Sequence, residues 1–198
     1  MRVIAGEFRS RRLKSLPGLA TRPTSDRLRE TLFDVLAPLL PDCVLIDAYA
    51  GTGAVGIEAL SRGARRAIFI EKNRAAVEVI RENLAALGLA NRAEVFTGKA
   101  AAVLPRRRAD IAFLDPPYEL TAEYEIALAA LDQSETPLVI LQHSSRFTPP
   151  EGSGHLQRYR VLKQGDNSLS FYRRISTSST QPLNTEKTKP VRIPPAIQ

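Results

Sequence analysis

Cysteine, tryptophan and long apolar runs are almost missing from this 198-residue chain. Cys43 is the one cysteine, so neither an intramolecular disulfide nor a cysteine-based zinc site can form. That suits a reducing compartment. The first residues, Met1-Arg-Val-Ile-Ala-Gly-Glu, lack an apolar signal region, and no run approaches about 18 apolar residues. The expectation is a cytoplasmic protein with no membrane span and no metal.

What is present is ordinary for a globular domain: 43% hydrophobic and 25% charged residues. The length accommodates one domain of about 150 residues with short appendages. Net charge is +7, and its placement is uneven. Residues 1–30 carry eight Lys or Arg against three acids, and residues 173–198 five against one, whereas the middle has 15 against 17. Basic ends on a near-neutral domain point to a polyanion partner.

Residues 2–14 alternate loosely between apolar and polar and read as a short hairpin, broken at Gly6 and ended by Pro17-Gly18. Its basic side chains, Arg9, Arg11, Arg12 and Lys14, are too dense to be buried. Arg22-Pro-Thr-Ser-Asp-Arg27 reads as a helix entry with Thr24 or Ser25 as cap, leading into an apolar face from Leu28 to Leu39. Apolar runs then alternate with helical patterns: strands at 43–47, 67–71, 93–97, 110–114 and 137–142, with helices at about 54–62, 73–88 (Asn73 as cap), 100–104 and 121–132 between them. Such β-α repeats build a mostly parallel sheet covered on both faces, with ligands at the carboxyl ends of its strands. Residues 143–155 read as a loop. Gln157–Leu162 and Ser168–Tyr172, joined by Gly165-Asp-Asn, read as a closing antiparallel hairpin at the sheet edge. Residues 1–23 are thus a basic arm, 24–175 the domain, and 176–198 a tail expected to be disordered.

Asp47-Ala-Tyr-Ala-Gly51-Thr-Gly53-Ala-Val-Gly56 organises the chain. Strand, glycine turn and helix let a backbone approach a nucleotide-like ligand closely. Asp47 closes the strand where a carboxylate can face a cationic amino-acid ligand, and Glu71, ending the next strand, can bind both ribose hydroxyls. A nicotinamide dinucleotide would use Glu71 equally well.

Asp115-Pro116-Pro117-Tyr118 follows the fourth strand of the repeats. Paired prolines stiffen the backbone and remove two donors, leaving the Asp115 carboxylate and the Pro116 carbonyl as acceptors beside an aromatic face. An exocyclic amino group needs such an environment to attack a methyl donor. Its lone pair is delocalised into the base, and acceptors that hold its protons orient that pair. Tyr118 can stack on a base displaced from its helix.

On these segments the chain resembles the class I S-adenosylmethionine-dependent methyltransferases, and within them the RsmD-like family that methylates a guanine N2 in 16S ribosomal RNA. The matching stretches are Arg2–Gly6, Arg22–Phe33, Asp47–Gly63, Asp115–Tyr118 and Gly165–Tyr172. The resemblance implies a Rossmann-like, mostly parallel seven-stranded sheet with helices on both faces and a C-terminal antiparallel hairpin. It implies S-adenosylmethionine held around Asp47, Ala50, Gly51, Thr52, Gly53, Gly56, Glu71, Lys72, Gly98, Lys99 and Ala100, and a target amine held by Asp115 to Tyr118. Arg9, Arg11, Arg12, Lys14, Arg22 and Arg27 would grip 16S rRNA or the assembling small subunit, and the protein would act as a monomer. The pattern departs at Lys99, where related enzymes often place an acid for the adenine amino group, and a lysine cannot accept that bond. His143 follows the fifth strand and could border the crevice, although a lone histidine there is more often a residue behind it or in a loop. Arg106 to Arg108 form a solvated loop, with RNA contact as the alternative, and Cys43 is core. The alternatives are a DNA adenine-N6 methyltransferase, a dinucleotide-dependent oxidoreductase and a non-catalytic RNA-binding protein.

Overall fold

Each apolar run of the repeats becomes a strand, because alternate side chains of each find a helix-covered layer on either side of the sheet. The computed structural model describes residues 1–16 and 26–175. The expectations for the Pro17-Gly18 break, the Thr24 or Ser25 cap, Arg22 and the tail at 176–198 lie outside the described residues. The strands are β1 (Val44–Ala48), β2 (Arg66–Glu71), β3 (Ala93–Thr97), β4 (Ile111–Leu114), β5 (Leu138–Ser144), β6 (Gly152–Ser153), β7 (Leu156–Gln164) and β8 (Asn167–Arg174). The helices are α1 (Asp26–Leu36), α2 (Ala54–Ser61), α3 (Arg74–Ala86), α4 (Ala100–Val103) and α5 (Thr121–Ser134).

The strands join in the order β3-β2-β1-β4-β5-β8-β7-β6. The first five are parallel, and β8 pairs antiparallel with β5 along its whole length, from Leu138 opposite Arg173 to Ser144 opposite Asn167. The sheet therefore has eight strands where seven were expected. The extra one is the two-residue β6, which pairs with the start of β7 inside the stretch read as a loop. Sequence gives no period for so short a strand. β5 also runs on to Ser144, past the expected end at 142.

Period-two alternation sorts the core. Ile46, Ile68, Ile70, Ala112, Leu114, Val139 and Leu141 face α4 and α5. Leu45, Ile111, Phe113 and Ile140 face α1 and the near side of α2, whereas Ala67 and Phe69 face α2 and α3. Asn73 caps α3 as expected, its Oδ1 accepting from Ala75 N at 2.9 Å and Ala76 N at 3.3 Å. Cys43 is core, where burial pushes its thiol up to about 11. Among the described residues no helix is long and apolar enough to cross a membrane.

The expected N-terminal hairpin is a pair of tight turns with one isolated bridge, Arg2 opposite Arg12. It does not stand off the domain. Val3 and Leu13 are buried against α2 and α3. Glu58 of α2, fully buried, accepts from Ile4 N at 2.7 Å and Ala5 N at 2.9 Å, and from Arg62 Nε at 2.7 Å. On the other flank the buried Arg29 of α1 donates to Arg2 O at 3.1 Å and pairs with Asp26 at 2.7 Å.

Glu58 therefore fixes the N-terminal segment. Glu58→Ala leaves two backbone donors and the Arg62 guanidinium unpaired, and is expected to cost about 3–5 kcal/mol in urea unfolding. Glu58→Gln, which keeps one acceptor oxygen, should cost less. Equal stability of Glu58→Ala and wild type would show that the segment is not held this way.

Candidate active site

From β1 the chain moves outward through β2 to β3, then crosses back to β4 on the other side of β1. The helix after β1 covers one face and the helix after β4 the other. A crevice opens at this switch point, between the carboxyl ends of β1 and β4. The residues singled out in sequence meet there. Ala48 and Leu114 are register partners, and Asp115 N donates to Ala48 O at 3.4 Å. The glycine turn and the Asp115–Tyr118 segment are therefore the two lips of one crevice.

The turn needs its glycines. Gly51 and Gly53 have φ of +56° and +83°, and a Cβ on Gly56 would lie 2.3 Å from the Phe69 ring of β2. Tyr49 also takes a left-handed φ, +64°, although it carries a side chain. Its hydroxyl donates to Glu123 Oε2 at 2.8 Å on α5, so a bond joins the turn to the helix behind the opposite lip. Sequence reasoning missed both residues, since nothing local marks a tyrosine for a glutamate 74 positions away.

Two carboxylates hold the turn, and the charge of a third, Asp115, reaches Asp47 from the other lip. Asp47 is 2% exposed and accepts from Gly56 N at 2.8 Å. Half-buried Glu71 accepts from Gly51 N at 2.9 Å through Oε2 and from Asn73 N at 2.8 Å through Oε1. Burial first, and then the neighbouring charges of Asp115 and Glu71, push the Asp47 carboxyl up to about 8, against the lowering effect of the Gly56 bond. Asp47 thus braces the turn from beneath. Glu71 stands beside it with one lone pair left on each oxygen. Ala50 and Gly53 amides are also used internally, on Ile70 O at 3.0 Å and Ala50 O at 2.8 Å.

On the other lip Asp115 and Tyr118 are half-buried, Pro116 is buried and Pro117 exposed. Tyr118 is held by its hydroxyl, which donates to Asn167 Oδ1 at 2.7 Å, with Gln142 Nε2 at 3.4 Å.

Around this centre, Ala100 is buried and opens α4, and Gly98 N donates to Glu71 O at 3.0 Å. Lys72 and Lys99 are exposed, and Thr52 carries on the turn. Arg9, Arg11, Arg12, Lys14 and Arg27 are exposed, with Lys14 Nζ 2.9 Å from Glu82. Two expectations are corrected. His143 is inside β5, its Nδ1 on Ser144 O at 2.8 Å and Nε2 on Ser170 Oγ at 2.9 Å, so Nδ1 carries the proton and the ring is used up structurally. Burial lowers its pKa. Arg106 to Arg108 are not all solvated, since the Arg107 guanidinium lies 4.0 Å from the centroid of the Phe96 ring, close to Glu94. An open groove of about 690 Å³, lined in part by Cys43, Asp110 and Leu138, lies at the amino ends of β1, β4 and β5, the wrong end for this crevice.

Known proteins match this chain in sequence and in fold. The profile of a family described as Conserved hypothetical protein 95 matches residues 1–173. Ribosomal RNA small subunit methyltransferase D of Haemophilus influenzae is 37% identical over 179 residues, covering 87% of this chain and 92% of that one. A candidate rRNA methyltransferase of Bacillus subtilis, YlbH, is 32% identical over 183 residues, covering 88% and 99%. The solved structure of a candidate methyltransferase of Escherichia coli, yhhF, superposes with a TM-score of 0.76 at 34% identity, covering 88% of this chain and 97% of that one.

The raised Asp47 carboxyl has a measurable consequence. The folded state keeps its proton up to about pH 8, whereas the unfolded chain loses it near pH 4, so stability drains away as pH rises between those values. Asp47→Asn removes that drain while retaining an oxygen for Gly56 N. The stability of this variant relative to wild type, from urea unfolding, should grow by at least about 2 kcal/mol between about pH 5 and pH 8. A pH-independent difference would mean that Asp47 is ionised throughout.

Proposed function

The chain belongs to the family described as Conserved hypothetical protein 95, and from that membership we propose that it transfers a methyl group from S-adenosylmethionine to the N2 amino group of a guanine in small-subunit ribosomal RNA. It is a methyltransferase of the class I fold. The ribosomal RNA methyltransferase names of its relatives support the substrate class.

The observation that carries the cofactor reading is the occupancy of the turn amides. A dinucleotide would set its pyrophosphate on the turn and on the amino end of α2. Here Gly51 N and Gly56 N are already committed to Glu71 and Asp47. A further anion would meet three carboxylates, one of which already keeps its proton through burial and the charge of the others. A ligand with sulfonium and ammonium charges relieves that repulsion. The spare lone pairs of Glu71 suit a ribose diol, and the Gly98 to Ala100 segment beside it suits an adenine edge held by backbone groups.

The sulfonium of the bound cofactor supplies an already activated methyl group. The chain's own residues position and orient. Asp115 and the Pro116 carbonyl accept the protons of the guanine amine, turning its lone pair toward the cofactor side, and Tyr118 supplies a face for the base. The proton released on transfer passes toward the Asp115 side. No residue serves as a nucleophile, which agrees with Cys43 being buried in the core.

Incubation with small-subunit rRNA or subunits lacking the modification, followed by mass mapping, tests this directly. A single new methyl on a guanine N2 is the expected product; a methylated adenine, or none, would overturn the assignment. Asp115→Ala should slow transfer by about 100-fold or more while changing cofactor affinity by less than a few-fold. Near wild-type transfer would remove Asp115 from amine orientation.

The exposed basic segment supplies a second test. Replacing Arg9, Arg11, Arg12 and Lys14 by Gln should raise the KM for RNA and flatten its salt dependence, by a slope of roughly 0.7 to 0.9 for each phosphate that is no longer neutralised. The melting temperature should barely move, since exposed charges add little to folding. An unaltered salt slope would take RNA binding away from this segment.

A further inference from the structure

We propose that Asn167, the first residue of β8, is a positioning residue that fixes where the Tyr118 ring stands, making the closing hairpin part of the base-holding wall. The proposal rests on the reading of Tyr118 as the face that receives the target base.

A tyrosine ring that only packs can swing about its Cα–Cβ bond, and a swinging ring places a base poorly. The ring of Tyr118 is tethered at its far end. Its hydroxyl has one proton to give. Gln142 Nε2 on β5 reaches it as a donor at 3.4 Å, so that proton goes to Asn167 Oδ1, 2.7 Å away. The direction of the relay, from Gln142 through Tyr118 to Asn167, is thereby fixed, and with it the orientation of the Asn167 amide.

Asn167 can bear this role only if it is itself immobile, and the structure shows how. Ser145, just past the end of β5, holds the β7–β8 turn at three points. Its N donates to Asp166 O at 2.9 Å, its Oγ donates to Gly165 O at 2.9 Å, and the same Oγ lies 2.9 Å from Ser168 Oγ. Asn167 also pairs with Ser144 in the β5–β8 ladder. Gln142 is 4% exposed in the same β5. Both ends of the relay thus stand on one rigid pair of strands, while Asp115 and Pro116 follow β4 next to it. The position of the base face relative to the amine acceptors is then set by the register between β4, β5 and β8. Pre-set orientation of this kind is worth large rate factors, since a displacement of about 1 Å can cost about 100-fold.

Three variants separate this role from mere folding. Asn167→Ala should lower kcat for rRNA by about 10- to 100-fold, with cofactor affinity and melting temperature close to wild type. Asn167→Asp keeps an acceptor for the phenolic proton and should recover most of that loss. Tyr118→Phe retains the ring but not the hydroxyl, and should lose the same factor. Adding Asn167→Ala to Tyr118→Phe should then cost nothing more. Additive losses, or wild-type kcat in Tyr118→Phe, would overturn the relay, and the second holds even if Asn167→Ala misfolds. A substrate-free measurement separates this proposal from the rRNA reading. In protein with carbon-13-labelled tyrosine, three-bond couplings should show Tyr118 in a single rotamer about Cα–Cβ in wild type and averaged over rotamers in both Asn167→Ala and Tyr118→Phe, the latter followed through labelled phenylalanine. Identical rotamer populations would refute the tether even if rRNA were methylated, whereas a single rotamer in wild type with no methyl transfer to rRNA would leave the tether standing and remove the substrate assignment.

Discussion

A glycine turn has few side chains with which to pack, so something else must hold its backbone in a left-handed course. Here the holding is done by carboxylates that accept the turn's own amides. Asp47 takes Gly56 N from below and Glu71 takes Gly51 N from the side. The consequences reach beyond shape. The amides that would cradle a phosphate are occupied, the crevice carries an excess of negative charge, and the deepest acid retains its proton near neutrality. The same bonds that make the turn stable therefore select against anionic ligands and in favour of a cationic one. Fold stability and ligand choice come from one arrangement.

The sequence made the elements legible where the signal is local. Strands β1 to β4 and the cap at Asn73 stand where apolar runs and an N-cap residue put them, because each follows from a few neighbouring residues. Both lips of the crevice were legible too, since a glycine turn and a Pro-Pro pair each announce themselves at the end of a strand. What could not be read was mostly long-range. Glu58 lies in a helix where a solvated face would be equally consistent with its neighbours, yet it accepts from the amides of Ile4 and Ala5 at the far end of the chain. Tyr49 reaches Glu123, and Tyr118 reaches Asn167. Arg107, in a run of three arginines, lies against Phe96 instead of in solvent. For the two tyrosines the partner is supplied by the sheet order, which brings β1 beside β4 and β5 beside β8.

Two segments that look peripheral in sequence are built into the body of the domain. The closing hairpin is paired along the full length of β5 and supplies both the Asn167 bond and the buried residues Leu169, Phe171 and Tyr172. The N-terminal segment is bonded to α2 through Glu58 and Ser61, with Ser61 Oγ donating to Ala5 O at 2.6 Å and accepting from Phe8 N at 3.0 Å. Its apolar residues point inward and its arginines outward. A basic surface is thereby displayed on a rigid base, and the entropy of ordering the backbone is met in folding and not again on meeting a polyanion.

Asn83 shows how far this integration goes. It is 3% exposed on α3, and its Oδ1 accepts from Lys14 N at 2.8 Å. Its Nδ2 donates both to Lys14 O at 3.2 Å and to Thr52 O at 3.2 Å. One buried amide thus satisfies the end of the basic segment and the glycine turn together. A buried amide with all its partners in place tolerates little displacement, because any shift leaves a polar group unpaired at a cost of about 1–3 kcal/mol. The basic segment and the turn can therefore move only in concert, and the position of one constrains the position of the other beside the crevice.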